Sequence, residues 1–190
     1  MKRLASILIV ACLLGAACGA KSTSSADLGA ADLKPATEGV PGTLIVPVSG
    51  RNHVSGHVNY PTSPPAGGNH NPVWQNCGFY TVSLTNEYAV HSLEHGAVWI
   101  TYSGAVDQTV KTDLAAKAKA SNYVLVSLYP DNPTPIVVTA WARQLRMATY
   151  DSALVNKFID VYGVKGPTVP EKGSPCRGGI GVPPDRPLAT

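Results

Sequence analysis

Two histidines four residues apart, with a carboxylate beside the second, stand in Glu87-Tyr-Ala-Val-His91-Ser-Leu-Glu94-His95-Gly96. On a short helix, positions i and i+4 lie one above the other with Cβ atoms about 5–6 Å apart, so two imidazoles reach one metal ion. Neutral imidazole suits zinc, copper, iron or nickel. The run His91-Ser-Leu-Glu94-His95 also fits H-x-x-E-H, the inverted zinc-peptidase signature, in which both histidines hold zinc and the glutamate activates water. Against a peptidase, Gly96 interrupts the helix at once, and no acidic pair follows at a spacing that would supply a further ligand. A metal-free His/Glu general-base reaction lacks a Ser or Cys nucleophile motif to support it.

The flanking chain must position these residues. Asn86 is placed to cap the short helix and Gly96 to end it. Ala97–Tyr102 behind it reads as a central strand, and Gly78–Leu84 before it as another. Pro61–Pro72 is loop, because its prolines and glycines forbid a ladder or helix. Thr43–Val48 is a short apolar run broken by Pro47, expected at a sheet edge, and Val54–Tyr60 a further short strand. Asp107–Ala120 predicts a helix with Val110, Leu114 and Ala118 on one face. Tyr123–Tyr129 and Ile136–Ala142 read as strands around a Pro130–Pro133 turn. Asp151–Tyr162 predicts a last helix with Leu154, Phe158, Ile159 and Tyr162 inward. The irregular alternation gives an α+β class: one small domain, a mixed or antiparallel sheet with two or three helices packed on it.

Composition limits the function classes. The chain has 190 residues, 44% hydrophobic and 14% charged, enough apolar content for one domain with a core and too little charge for a disordered chain. Its net charge of +3 drops to about +1 once Lys2 and Arg3 leave with the leader described next, which gives no footprint for nucleic acid.

Met1-Lys-Arg3 followed by apolar Leu4–Leu14 is a targeting segment, too short to remain as a membrane span. Leu14-Gly-Ala-Ala-Cys18 resembles the lipobox of bacterial lipoproteins, which implies cleavage after residue 17, acylation of Cys18 and anchorage on the outer face of the cell membrane. Gly15 stands where leucine is usual, Cys12 is the poorer lipidation candidate, and an ordinary secretory signal is the alternative. Residues 18–40 then form a lipidated cysteine and flexible linker, poor in apolar surface, and residues 41–190 a globular domain with an irregular C-terminal tail. Of the four cysteines, Cys77 and Cys176 remain for the exported domain. In an oxidising compartment they are most simply a disulfide; as two thiols they would be copper ligands.

One combination of motifs reaches beyond these local readings: His53-Val-x-Gly, Tyr60, Pro64-Pro65, Gly67-Gly68, His70, Trp74, Cys77-Gly78, Tyr80 and Val90-His91-Ser-Leu-Glu94-His95-Gly96. Together they resemble the bacterial DUF3105 family, found on exported or membrane-anchored proteins and carrying no established activity. The resemblance places His53, His70, His91 and His95 in the family pattern and leaves His57 outside it. The expected site therefore joins two helix histidines to two from the loop region, around a copper or zinc ion. Glu94 is expected as an outer partner orienting an imidazole or as a direct oxygen ligand. Tyr60, Trp74 and Tyr80 would wall the site, and Met147 is a packing residue that copper could also use. The expected role is metal handling or a structural metal rather than catalysis, on a membrane-anchored protein. The alternative is an envelope module without metal that binds another exported protein.

Overall fold

A computed structural model describes residues 28–184 of the chain. The expected signal peptide, Cys18 and the first part of the linker lie outside the described residues. Seven strands form one mixed sheet: β1 (Lys34–Pro35), β2 (Leu44–Ile45), β3 (Gly78–Tyr80), β4 (Val98–Tyr102), β5 (Val124–Leu128), β6 (Ile136–Ala140) and β7 (Arg143–Met147). Their spatial order is β1-β2-β7-β6-β4-β5-β3. The three strands β3, β5 and β4 run parallel, and the rest pair antiparallel. Helices α1 (Asn86–Glu94), α2 (Gln108–Ala120) and α3 (Ser152–Tyr162) complete the set. The architecture is α+β, as the irregular alternation of elements predicts.

Alternation along the central strands sorts the core. Val98, Ile100 and Tyr102 of β4, with Val124 and Val126 of β5, pack with Leu114 and Ala118 of α2 and Val155, Phe158 and Tyr162 of α3. The intervening Trp99 and Leu125 face the other way and pack with Ala89, Val90 and Leu93 of α1. Side chains of a strand alternate between faces, so the sheet separates α2 and α3 from α1. The parallel β4–β5 pair requires a crossover, which α2 provides. Asp107 caps α2 by accepting from Val110 N, and Asp151 caps α3 by accepting from Leu154 N.

Several local expectations change. Thr43–Val48 narrows to β2, and it is not outermost, because β1 from the expected linker pairs outside it. Residues 28–40, expected as part of a flexible linker, contribute a 3-10 turn at Ala30–Asp32 and the buried side chains of Leu33 and Val40. Val54–Tyr60 forms no strand; instead His53 and His70 make a single parallel bridge. Arg143–Met147 is a strand that its two arginines and glutamine disguise. Gln144 is fully buried because its amide donates to Pro64 O and its carbonyl accepts from Arg146 Nε. Asn86 is the first residue of α1 rather than its cap, a place taken by Thr85.

Gly96 ends α1 as expected, with φ +97°, and a Cβ there would lie 2.7 Å from Val164 O and 2.9 Å from Val164 Cα. Both the left-handed backbone and the close approach demand glycine. Gly96→Ala is expected to cost about 3 kcal/mol, combining strain and overpacking, read as a lower urea midpoint.

Candidate metal centre

Helix α1 is buried on two sides. Ala89, Val90 and Leu93 meet the sheet, while Glu87, His91, Glu94 and His95 lie on its other side, under the loops and tail. The spacing follows the helical repeat: His91 and Glu94 are i and i+3 and share a side. The histidines His53 and His70 come from two extended segments that pair in parallel, with Val54 N donating to His70 O and His70 N to Asn52 O. The loop carrying His70 is tied to the sheet where Ala142 N donates to Ala66 O, and Tyr60 Oη donates to Asn69 O. Gly67 takes φ +141°, and its Cβ would meet the Trp141 ring at 3.1 Å and Val48 at 2.9 Å. A side chain there would push the loop off the β6–β7 turn and carry His70 with it.

One ligating atom from each of His53, His70, His91 and Glu94 lies within 4.8 Å of the others. Ring centroids are 5.1 Å apart for His53–His70, 4.8 Å for His53–His91 and 4.7 Å for His70–His91. The protons are placed by the backbone. His70 Nδ1 stands 2.8 Å from Gly68 O and His91 Nδ1 2.7 Å from Asn71 O. A nitrogen facing a carbonyl must carry hydrogen, so each neutral ring offers its Nε2 lone pair inward, the arrangement in which a metal-bound histidine is held.

The Nε2 atom of His70 is buried and lacks any aligned hydrogen-bond partner, yet it lies 2.9 Å from Glu94 Oε2. A lone pair and a carboxylate oxygen at that distance repel unless positive charge lies between them. Metal–ligand bonds of about 2.1 Å place donor atoms about 3 Å apart at the right angle of a tetragonal ion and about 3.4 Å apart at the tetrahedral angle of zinc, so an ion between them needs the pair to open by at most about half an ångström. Two donors of one ion lie at most about 4.2 Å apart with such bonds and about 3.4 Å apart at the tetrahedral angle, so the widest pair, within 4.8 Å, closes by about 0.6–1.4 Å to share one ion, and His53, which is exposed, has room to move.

Electrostatics prepares the donors. Burial is the largest influence on the His91 imidazole and lowers its pKa to about 4; the Asn71 carbonyl opposes the shift, and His95, His70 and His53 add to it. Burial alone would raise the Glu94 carboxyl, but its contact with His70 and the nearby Arg51 cation outweigh it and hold it below the usual range. At neutral pH, therefore, His91 is a neutral donor and Glu94 an anionic one. The unfolded His91 binds a proton near the ordinary 6.5 and the folded one near 4, so stability falls as pH drops through that window, by on the order of 2 kcal/mol. Chelator-treated protein unfolded in urea at pH 7 and pH 4.5 tests this, with His91→Asn reducing the difference.

His95 does not join the group. Its Nδ1 donates to Pro175 O at 2.7 Å and its Nε2 faces Glu171 Oε2 at 3.6 Å. Helical spacing does bring its ring close to that of His91, with centroids 4.5 Å apart, but the tail holds its Nδ1 and neither of its nitrogens falls within the group. Glu94 takes the inward place instead, with one carboxylate oxygen inside the group. The H-x-x-E-H reading needs both histidines on one ion with glutamate over water, so this arrangement speaks against it. His57 lies apart, on Glu87 Oε1 at 3.1 Å, and Met147 packs in the core on the opposite face of the sheet.

Trp74 does wall the site, with its ring 5.5 Å from His91 and 4.9 Å from His95. Tyr60 flanks Gly68, whereas Tyr80 packs in the core beside the disulfide, its hydroxyl donating to Asn76 O. The bond between Cys77 and Cys176 is present, and both residues are buried. That pairing uses both sulfurs and removes them as copper ligands. Sequence reading missed Arg51, whose Nη1 stands 3.7 Å from Glu94 Oε1. Its signal was its position two residues before His53, which puts both side chains on one side of an extended segment.

No helix among the described residues is long and apolar enough to cross a membrane. Comparisons with curated proteins and with solved structures find no match. The family comparison does: residues 53–178, which span every residue of the cluster and both disulfide cysteines, match the family described as "Protein of unknown function (DUF3105)", and the chain belongs to it.

Proposed function

We propose that the domain binds one divalent transition-metal ion, zinc or copper(II), through His53, His70, His91 and Glu94. The observation that carries this reading is His70 Nε2: buried, without an aligned hydrogen bond, its tautomer set by Gly68 O, and 2.9 Å from a carboxylate oxygen. Three imidazoles and a carboxylate are borderline-hard donors that suit these two ions, and soft sulfur ligands, which would favour copper(I), are absent from the group. The exposure of His53 gives the ion a route to solvent, which favours exchangeable metal handling over a sealed structural ion. The setting we propose is the outer face of the cell membrane, with Cys18 acylated. A buried disulfide supports an oxidising compartment.

The test uses the full chain, exported, solubilised in detergent and purified without a histidine tag. Elemental analysis is expected to find about one metal per chain, and less than a tenth of that in His91→Ala/Glu94→Gln. Replacing His95 with alanine is expected to leave the stoichiometry near one. Equal, near-zero metal in all three proteins removes the proposal. Incorporation of labelled palmitate, lost in Cys18→Ala, tests the anchor.

A further inference from the structure

The cluster has a mouth, and its charge is unexpected for a site that holds only a cation. Arg51 and His53 lie on one extended segment, two residues apart, and both are exposed beside the buried His70, His91 and Glu94. The Arg51 guanidinium is 59% exposed and approaches Glu94 Oε1 only to 3.7 Å, beyond hydrogen-bond reach. Glu94 meanwhile turns its other oxygen to His70. A guanidinium held against a ligand carboxylate draws electron density from it and repels an incoming metal cation. Binding the metal alone gains nothing from Arg51.

An anion shared between the metal and Arg51 reverses that balance. Four protein donors close a tetrahedral zinc site, but copper(II) is tetragonal and accepts a further axial ligand, and the outward side, past the exposed His53, is where Arg51 stands. Its planar fork matches the two oxygens of a carboxylate or phosphate. Resting on the metal-binding reading above, we infer that the metal-loaded domain binds a small oxyanion, a carboxylate or phosphate group, that bridges the metal and Arg51. The role this gives Arg51 is selection of the metal's anionic companion rather than retention of the metal.

The experiment loads the full chain with copper(II) and follows its visible and electron paramagnetic resonance spectra during titration with oxalate and, separately, with inorganic phosphate. One anion per chain is expected to shift the spectrum saturably, and the tighter of the two probes identifies which oxyanion the mouth prefers. Arg51→Ala is expected to weaken that anion at least tenfold while the metal stoichiometry stays at one. Arg51→Lys, with charge but no fork, is expected to fall between. Copper that binds at one per chain with no anion response, or with the same anion affinity in Arg51→Ala, overturns this inference alone. Failure of copper to bind overturns the metal reading together with it.

Discussion

Saturating zinc or copper(II) is expected to raise the unfolding temperature by roughly 5–15 °C, and His70→Ala is expected to abolish the rise. The size follows from linkage. A ligand that binds only the folded state at a hundredfold to a thousandfold excess over its dissociation constant stabilises by about 2.7–4.1 kcal/mol. In a domain of this size each kcal/mol moves the midpoint by about 2–4 °C. The donors come from two paired loop segments and one helix, so they converge only in the folded chain. His70 is the residue whose loss should be most complete, because its imidazole is fully buried between His53 and His91. The matching control is His57→Ala, an exposed ring on Glu87 outside the group, which should keep the full shift. A rise of equal size in wild type and His70→Ala would place the metal elsewhere.

Loss of the Cys77–Cys176 bond is expected to cost about 4–5 kcal/mol, in the chain-entropy account of a loop of this length, with a separation of 99 residues between the two cysteines. The paired replacement Cys77→Ala/Cys176→Ala, unfolded in urea beside the parent, measures it. A second effect should accompany the first. The tail is laced to the end of α1, with Glu171 N donating to Glu94 O at 3.0 Å and His95 Nδ1 donating to Pro175 O. Freeing Pro175 and Glu171 loosens the backbone from which Glu94 projects and lets the His95 ring turn. Metal affinity is therefore expected to fall by roughly 10- to 100-fold, the range seen when outer partners of ligands are removed. A thiol count on denatured, exported protein should find no reactive thiol beyond the leader region, and two after reduction. Unchanged metal affinity in a clearly destabilised variant would show that the tail acts on the fold alone.

What the sequence could and could not disclose divides along the range of the interactions. Helices α2 and α3, strands β4, β5 and β6, and the short α1 ended by Gly96 are each written in local periodicity, and each is present within one or two residues. Strand β7 escaped because Gln144 and Arg146 are polar. The burial of Gln144 depends on Pro64, eighty residues away, whose carbonyl accepts from it. For the same reason β1 was read as linker, since Lys34 and Pro35 carry no strand signal and pair only because β2 is there to receive them.

The candidate site divides in the same way. Which residue types could bind a metal, and that His91 sits on a helix with a carboxylate three residues on, was decided by composition and the 3.6-residue repeat. The even pair of cysteines, in a chain whose start reads as an export signal, likewise pointed to their bond. Which of the two neighbours, Glu94 or His95, stands in the group depends on tertiary contacts: Pro175 O accepts from His95 Nδ1 and Glu171 stands near its Nε2, and Gly68 and Asn71 carbonyls set the tautomers of His70 and His91. Those four partners lie at sequence distances from two to eighty residues, and a hydrogen bond to a distant carbonyl leaves no periodic trace in the chain that makes it.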